Sequence, residues 1–130
     1  MDMNLQDAAL LTAGVIGSAV AALHGVLTQR LMVRPLLRLA GPSLSPPIRK
    51  LTALLLQFST FNWFVGGLAL IACGCGLNPQ ARLATGLLVG SSYLFASLGN
   101  LWATRSRHPG WALYAAAIVL IVYGVARPGG

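Results

Sequence analysis

An uncharged segment from Leu51 to Leu77 constrains the fold more than any other feature of the sequence. At about 1.5 Å of rise per residue it predicts a helix of roughly 40 Å, longer than the ~30 Å hydrocarbon core of a bilayer. Only 8% of the residues are charged and 56% are hydrophobic, whereas soluble domains carry about 25% charged residues. We therefore expect an integral membrane protein whose solvent is lipid.

Three other segments are also uncharged and long enough to be membrane helices. Together the four segments predict helices at about 8–30, 51–77, 83–104 and 109–126. The stretch 31–50 is predicted as a cytoplasmic loop, because its four prolines are costly inside a helix. Short connections favour antiparallel neighbours. The expected fold is an all-α, integral membrane four-helix up-down bundle that forms a single transmembrane domain over residues 1–130.

The cations predict the orientation of this bundle. Seven of the nine Lys and Arg residues flank one side, namely Arg30, Arg34, Arg38, Arg49, Lys50, Arg105 and Arg107. Arg82, Arg127 and both acids, Asp2 and Asp7, belong to the other side. The positive-inside rule places the side with seven cations in the cytoplasm of a bacterial-type inner membrane, with both termini in the periplasm. The start lacks the basic n-region of a cleaved secretory signal, so we expect the first segment to be retained.

The net charge of +7 does not predict nucleic-acid binding, because the cations flank apolar segments. Arg30, Arg34 and Arg38 recur at every fourth position and would share one helical face. Such a stripe can attract anionic lipid headgroups at about 1 kcal/mol per cation. The alternative is a plain loop whose charges only orient the chain during insertion.

Several classes of chemistry lack the residues they need. Glutamate is absent and neither aspartate lies within a predicted span, which excludes paired-carboxylate catalysis and carboxylate metal sites there. Cys73 and Cys75 would point about 200° apart on a helix, so they do not bridge each other or share a metal. The sequence predicts a protein that is not an enzyme and holds no metal or cofactor.

Four polar residues within the spans form the candidate site: His24, Gln57, Asn62 and Asn100. His24 and Gln57 each lie six residues, about 9 Å, inside the cytoplasmic end of their helix, and Asn100 lies slightly shallower. These three are expected to meet at one depth, whereas Asn62 lies near the midplane. An ionisable intramembrane group is a functional candidate by default. The alternatives are interhelical hydrogen bonding, a proton or ligand site, and a haem or metal ligand.

Small residues predict where the helices approach one another closely. Gly17, Ala21 and Gly25 recur every fourth position in the first helix, and Gly86 and Gly90 do so in the third. Such rows allow close backbone contact in lipid. Two aromatic residues are expected to anchor the fourth helix at the two membrane interfaces, where such side chains are enriched: Trp111 at its start and Tyr123 near its end.

The chain also resembles a group of bacterial four-helix inner-membrane proteins that has no established activity. The resemblance rests on His24-Gly25, on the Gln57-x-Ser-Thr-x-x-Trp63 pattern, and on the string Arg107-His108-Pro109-Gly110-Trp111. It implies the same fold and location and adds no function.

The sequence leaves three functional hypotheses. The first is a non-enzymatic structural or complex-associated subunit, present as a homo-oligomer or within a larger membrane complex. The second is a small transporter or channel with its polar site at His24, Gln57 and Asn100. The third is a cofactor or quinone site near His24 and Trp63.

Overall fold

A computed structural model of the chain describes residues 4–105, 107 and 109–126. The fold is all-α as predicted, and the described ranges contain no β-strand. The α-helices in these ranges are α1 (Leu5–Thr28), α2 (Arg34–Ala40), α3 (Pro46–Gly74), α4 (Pro79–Thr104) and α5 (Gly110–Val125). A π-helical turn, Gln29–Val33, joins α1 to α2, and a 3₁₀ turn, Gly41–Ser43, follows α2. Asp2, His108 and Arg127, which the sequence arguments use, lie outside the described residues.

The four long helices, α1, α3, α4 and α5, form an up-down bundle in which each helix runs antiparallel to the next. Gly14 of α1 lies against Gly67 of α3, whereas Gly25, three turns further along α1, lies against Thr60. Hydrogen bonds and glycine contacts give the same antiparallel relation between α4 and α5, and between α5 and α1. The predicted four-helix bundle is therefore confirmed.

The predicted loop at 31–50 is almost entirely helical, so that prediction was wrong. All four prolines lie in the first turn of a helical element: Pro35 in α2, Pro42 in the 3₁₀ turn, Pro46 and Pro47 in α3. At Pro46 and Pro47 a proline costs little, because the N–H that it lacks has no acceptor within a first turn. Pro35 instead continues an unbroken helical rod and follows a turn of different geometry. Before Pro35 the helix widens, and the N–H of Arg34 donates to the carbonyl five residues back, which is the π-helical pattern.

The helix ends also differ from the predicted boundaries, because capping residues extend two of the helices. Asn4 and Asp7 form a capping box that starts α1 before residue 8. Asn78 caps α4 by accepting a hydrogen bond of 2.8 Å from the N–H of Ala81, so α4 begins at Pro79 instead of 83. Helix α3 ends at Gly74 instead of 77.

Large side chains fill the centre of the bundle and apolar side chains cover its outside. Tyr93, Tyr114, Leu10 and Leu70 are among the largest fully buried residues. On the surface, the most exposed apolar residues include Leu54, Leu55, Leu87, Leu88, Phe95, Trp102 and Val119, each at least 66% exposed. Contiguous apolar surface on this scale marks a membrane or protein contact.

Three helical segments are long and apolar enough to cross a membrane: Leu5–Ser43, Pro46–Gly74 and Pro79–Thr104. Helix α5 is apolar but has only 16 residues, or about 24 Å. The bundle therefore combines three long rods with one short one.

Candidate functional site

His24 lies on the inner face of α1 and is held by side chains from two helices. Its Nε2 atom is 3.2 Å from the Thr28 hydroxyl of its own helix and 3.4 Å from the Ser59 hydroxyl of α3. Each hydroxyl donates to this nitrogen or accepts from it, depending on the tautomer. The imidazole also meets the ring of Trp63 edge-on, with a centroid distance of 4.7 Å. The imidazole therefore has both polar and aromatic contacts between α1 and α3.

Gln57 also crosses from α3 to α1, about one turn from His24, but it uses other partners. Its Nε2 atom donates to the backbone carbonyl of Gly25 at 3.1 Å and to the side-chain oxygen of Gln29 at 3.2 Å. The close approach of Gly25 to α3 makes the first of these bonds possible. Both amide protons of Gln57 are thus used in joining two helices.

Asn100 lies at the corresponding depth on α4 and bonds within its own helix. Its amide donates to the carbonyl of Ala96 at 2.9 Å. Asn100 shares with His24 and Tyr114 the lining of a cavity of about 70 Å³ between α1, α4 and α5. Gln57 does not line this cavity. Of the three residues expected at one depth, the structure therefore brings two to one cavity, and that cavity has room for about two water molecules.

Asn62 lies on the opposite side of α3 and faces a groove between α3 and α4. The groove has a volume of about 490 Å³ and is lined by Asn62, Val65, Gly66, Ala69, Thr85, Leu88, Val89, Ser91, Ser92 and Tyr93. The Asn62 side chain is exposed. No hydrogen bond joins it to any residue in the described ranges, whereas Ser91 bonds the Leu88 carbonyl of its own helix.

Three aromatic residues that the sequence does not single out as a group meet in the middle of the bundle. Trp63 and Tyr114 lie 5.4 Å apart between ring centroids, and Tyr93 and Tyr114 lie 4.8 Å apart. The Tyr93 hydroxyl donates to the backbone carbonyl of Trp63 at 3.0 Å. The Tyr114 hydroxyl and the Thr60 hydroxyl are buried without a hydrogen-bond partner among the described residues. The only sequence signal for this centre is the presence of tyrosines inside uncharged segments.

The small residues of α1 lie at its closest contacts. Gly17 is buried beneath the Tyr93 hydroxyl, Ala21 is fully buried, and Gly25 leaves room for the Thr60 methyl group. In α4, Gly86 faces Val125 closely, whereas a Cβ built on Gly90 would only reach ordinary contact with Ile121, at 3.8 Å. The α1 row is therefore tightly packed, and the α4 row is tight at one of its two glycines.

The two ends of the bundle differ in charge. At one end, the carboxylate of Asp7 in α1 pairs with the guanidinium of Arg82 in α4 at 2.7 Å. Arg82 also donates to the carbonyl of Gly124 in α5 at 3.4 Å. The seven cations that the sequence assigns to the cytoplasm are all exposed at the other end. Trp111 lies half-buried in the first turn of α5, and Tyr123 is 49% exposed near its end.

No group of three His, Cys, Asp or Glu residues converges within the described ranges in a way that could hold a metal ion. Comparison with protein-family models, with curated proteins and with solved structures found no match for this chain. The site is therefore interpreted from its geometry alone.

Proposed function

We propose that this chain is a multi-pass protein of a bacterial inner membrane, with its basic end in the cytoplasm and both termini in the periplasm. The apolar outer surface and the three long apolar helices support this location. Helix α5 is some 6 Å shorter than the hydrocarbon core, a mismatch that local thinning of the bilayer accommodates at modest cost.

Cysteine labelling tests this location. Cys75 is exposed at the periplasmic end of α3, whereas Cys73 is buried. In a Cys73→Ala background, a membrane-impermeant maleimide should label Cys75 in cells with a permeable outer membrane. Labelling only after the inner membrane is broken would indicate the opposite orientation, with Cys75 in the cytoplasm. Recovery of the folded protein without detergent in the soluble fraction would refute the membrane location.

We further propose a non-enzymatic, structural role in which the protein assembles within the membrane through the α3–α4 groove. The amide of Asn62, which has no hydrogen-bond partner in the described ranges, carries this proposal. It lies 12 residues from both Lys50 and Gly74, about 18 Å from either end of the span. An exposed amide without a partner is costly at that depth. Serine can satisfy itself by bonding its own helix, but the amide of Asn62 has no such bond here.

A second copy of the chain is the partner that suits this groove. Copies inserted in the same orientation present Asn62 at the same depth, so a two-fold axis along the membrane normal brings the two amides together. A carboxamide is both donor and acceptor, and is therefore self-complementary. Gly66 and Ala69 lie one and two turns further along α3 in the same groove and allow the second backbone to approach.

Cross-linking tests the assembly. In a background without native cysteines, Ala69→Cys places a thiol in the groove, and the neighbouring Leu68→Cys, which does not line the groove, is the matched control. We expect a disulfide dimer from Ala69→Cys and much less from Leu68→Cys, and we expect Asn62→Leu to reduce the first. Cross-linking to a different protein would indicate that the groove binds another subunit of a larger complex and not a second copy of the chain. Equal cross-linking at both positions would contradict the proposed face.

The second candidate function is a small transporter or channel, which the cavity beside His24 and Asn100 favours. A volume of about 70 Å³ suits a water-sized solute. Beyond Tyr93 and Tyr114, the buried core continues through Leu10 and Leu70, which gives such a solute no polar path to the other end. Flux through purified protein in liposomes, lost on His24→Ala, would support transport. Flux equal to that of empty vesicles would refute it.

A further inference from the structure

Residues 29–50 form a projection that we call the basic hairpin. It comprises the π-helical turn, α2, the 3₁₀ turn and the first residues of α3. Because the π-helical turn continues α1 into α2, the rod formed by α1 and α2 runs without a break from Leu5 to Ala40. At this end of the bundle, α4 stops at Thr104 and α5 begins at Gly110. Counted from the level of His24 and Asn100, α2 extends 16 residues and α4 only four, so the rod projects about 18 Å beyond the end of α4.

The exposed charges of the basic hairpin have one sign. Its five cations are Arg30, Arg34, Arg38, Arg49 and Lys50, and every one is exposed. The hairpin contains no acidic residue, and the described ion pair of the chain lies at the opposite end of the bundle. The side chain of Arg49 packs against Gly41, which ties the start of α3 to the end of α2.

Helix α2 also lacks a core of its own. None of its seven residues is buried, so α2 projects from the bundle without packing a side chain into its core. Exposed apolar side chains alternate with the cations along the sequence: Leu31 is 69% exposed and Leu39 is 86% exposed. A surface that combines cations with apolar side chains suits the boundary between headgroups and acyl chains.

The depth of the arginines agrees with this boundary. From Asp7 at the other end, Arg30 is about 34 Å along the rod and Arg38 about 46 Å. A bilayer measures ~30 Å across its hydrocarbon core and about 40–45 Å with its headgroups. With Asp7 at the outer edge of one headgroup layer, Arg30 lies near the far boundary of the hydrocarbon core, Arg34 within the opposite headgroup layer and Arg38 at its outer edge.

We propose that the basic hairpin binds the phosphate groups of anionic lipids in the cytoplasmic leaflet. This proposal depends on the membrane location proposed above but not on assembly through the α3–α4 groove. Guanidinium groups bind phosphate oxygens through paired, charge-assisted hydrogen bonds. The hairpin fits a lipid partner better than an acidic protein, because its cations extend through the headgroup layer with apolar side chains between them.

The test measures binding of short-chain phosphatidylglycerol, short-chain phosphatidylcholine and inorganic phosphate to the full-length protein in neutral detergent. The test variant is Arg34→Gln with Arg38→Gln, and the matched control is Arg105→Gln with Arg107→Gln, which removes two exposed cations from the neighbouring turn. At about 1 kcal/mol per cation, each loss corresponds to roughly fivefold in affinity. We expect the test variant to bind phosphatidylglycerol roughly 25-fold more weakly and the control to change less than threefold.

Salt and the other ligands complete the test. Raising the salt concentration should weaken phosphatidylglycerol binding to the wild type more than to the test variant, because salt screens exposed charges. The salt dependence of the wild type alone does not require the variant to fold, and a wild type whose phosphatidylglycerol binding is insensitive to salt would contradict the proposal. Equal binding of phosphatidylcholine, or equal losses in test and control variants, would overturn the proposal. Inorganic phosphate that competes fully at micromolar concentration would identify a soluble anion as the ligand and overturn the assignment to lipid.

The outcomes also separate this proposal from the membrane location. A protein that labels and fractionates as a membrane protein but has no anionic preference refutes only the lipid site. If an acidic soluble protein bound through Arg34 and Arg38 while phosphatidylglycerol binding was unchanged in the test variant, the hairpin would be a protein-docking surface instead.

Discussion

Helix α3 packs against α1 on one side and against α4 on the other, and the two interfaces differ in how closely the backbones approach. On the α1 side, a Cβ built on Gly14 would lie 2.5 Å from the carbonyl oxygen of Gly67. On the α4 side, a Cβ built on Gly66 would lie 3.2 Å from the end of the Val89 side chain. The first interface places backbone against backbone, and the second leaves the groove of about 490 Å³.

The difference extends to the polar groups. The amide of Gln57 and the hydroxyl of Ser59, both on the α1 side, have partners in α1. The amide of Asn62, on the α4 side, has none in the described part of the chain. In lipid no hydrophobic effect drives one helix against another, so close packing and hydrogen bonds decide which pairs are firm. The α1–α3 pair is therefore the more closely packed and better hydrogen-bonded side of α3, and the α3–α4 face is the one at which we propose assembly.

The largest expected effect comes from filling the tight interface. Gly67→Ala places a methyl group against the backbone of Gly14 and of Ser18, which cannot move without separating α1 from α3. We expect a loss of about 3 kcal/mol in the free energy of unfolding, at the upper end for an overpacked core. Reversible unfolding by sodium dodecyl sulfate in mixed micelles measures this value.

The matched control for Gly67 is Gly99→Ala in α4. No described atom lies within 4 Å of a Cβ built on Gly99. Alanine should therefore leave the protein unchanged or stabilise it by up to about 1 kcal/mol through helix propensity. Similar losses for both variants would mean that the α1–α3 contact is not the tight one.

A smaller effect is expected from the two tyrosines in the middle of the bundle. Tyr93→Phe removes the hydrogen bond to the Trp63 carbonyl, a bond that joins α4 to α3. We expect it to cost about 1 kcal/mol. Tyr114→Phe removes a buried hydroxyl that has no partner in the described ranges, so it should be neutral or stabilising. The same unfolding titration compares them, and a larger loss for Tyr114→Phe would contradict the hydrogen-bond assignment.

The fold class follows from the sequence because a chain that lies in lipid has few alternatives. Uncharged segments longer than a bilayer is thick must be helical, since every backbone group needs an internal partner. The loop at 31–50 could not be predicted correctly, because a proline looks the same in a sequence whether it interrupts a helix or begins one. At Pro35 the helix continues through the π-helical turn that precedes it, and no residue pattern in the sequence predicts such a turn.

The candidate site was predictable in depth but not in direction. The fixed rise of a helix sets His24 and Gln57 at similar depth, and both do meet the α1–α3 interface. The rotation of each helix about its own axis could not be predicted in this way, because these helices are apolar all round and have no polar face to orient them. For this reason the sequence could not indicate that Asn100 would bond within α4, or that Asn62 would face the groove.

The smallest predicted effect on stability is that of Asn62→Leu, and Gln57→Leu in the same helix is the variant to compare it with. Gln57 and Asn62 are five residues apart, or about 140° around the helix, so they face different neighbours. Gln57→Leu removes one hydrogen bond to α1 and one to the π-helical turn that follows it, at about 0.6 kcal/mol each in a membrane protein. Asn62→Leu should leave the unfolding free energy of the monomer unchanged in dilute detergent, where no second copy is present, while it reduces cross-linking through Ala69→Cys. If Asn62→Leu destabilised the dilute monomer as much as Gln57→Leu does, Asn62 would have a partner within its own chain, and the groove would lose the residue that argues for an assembly.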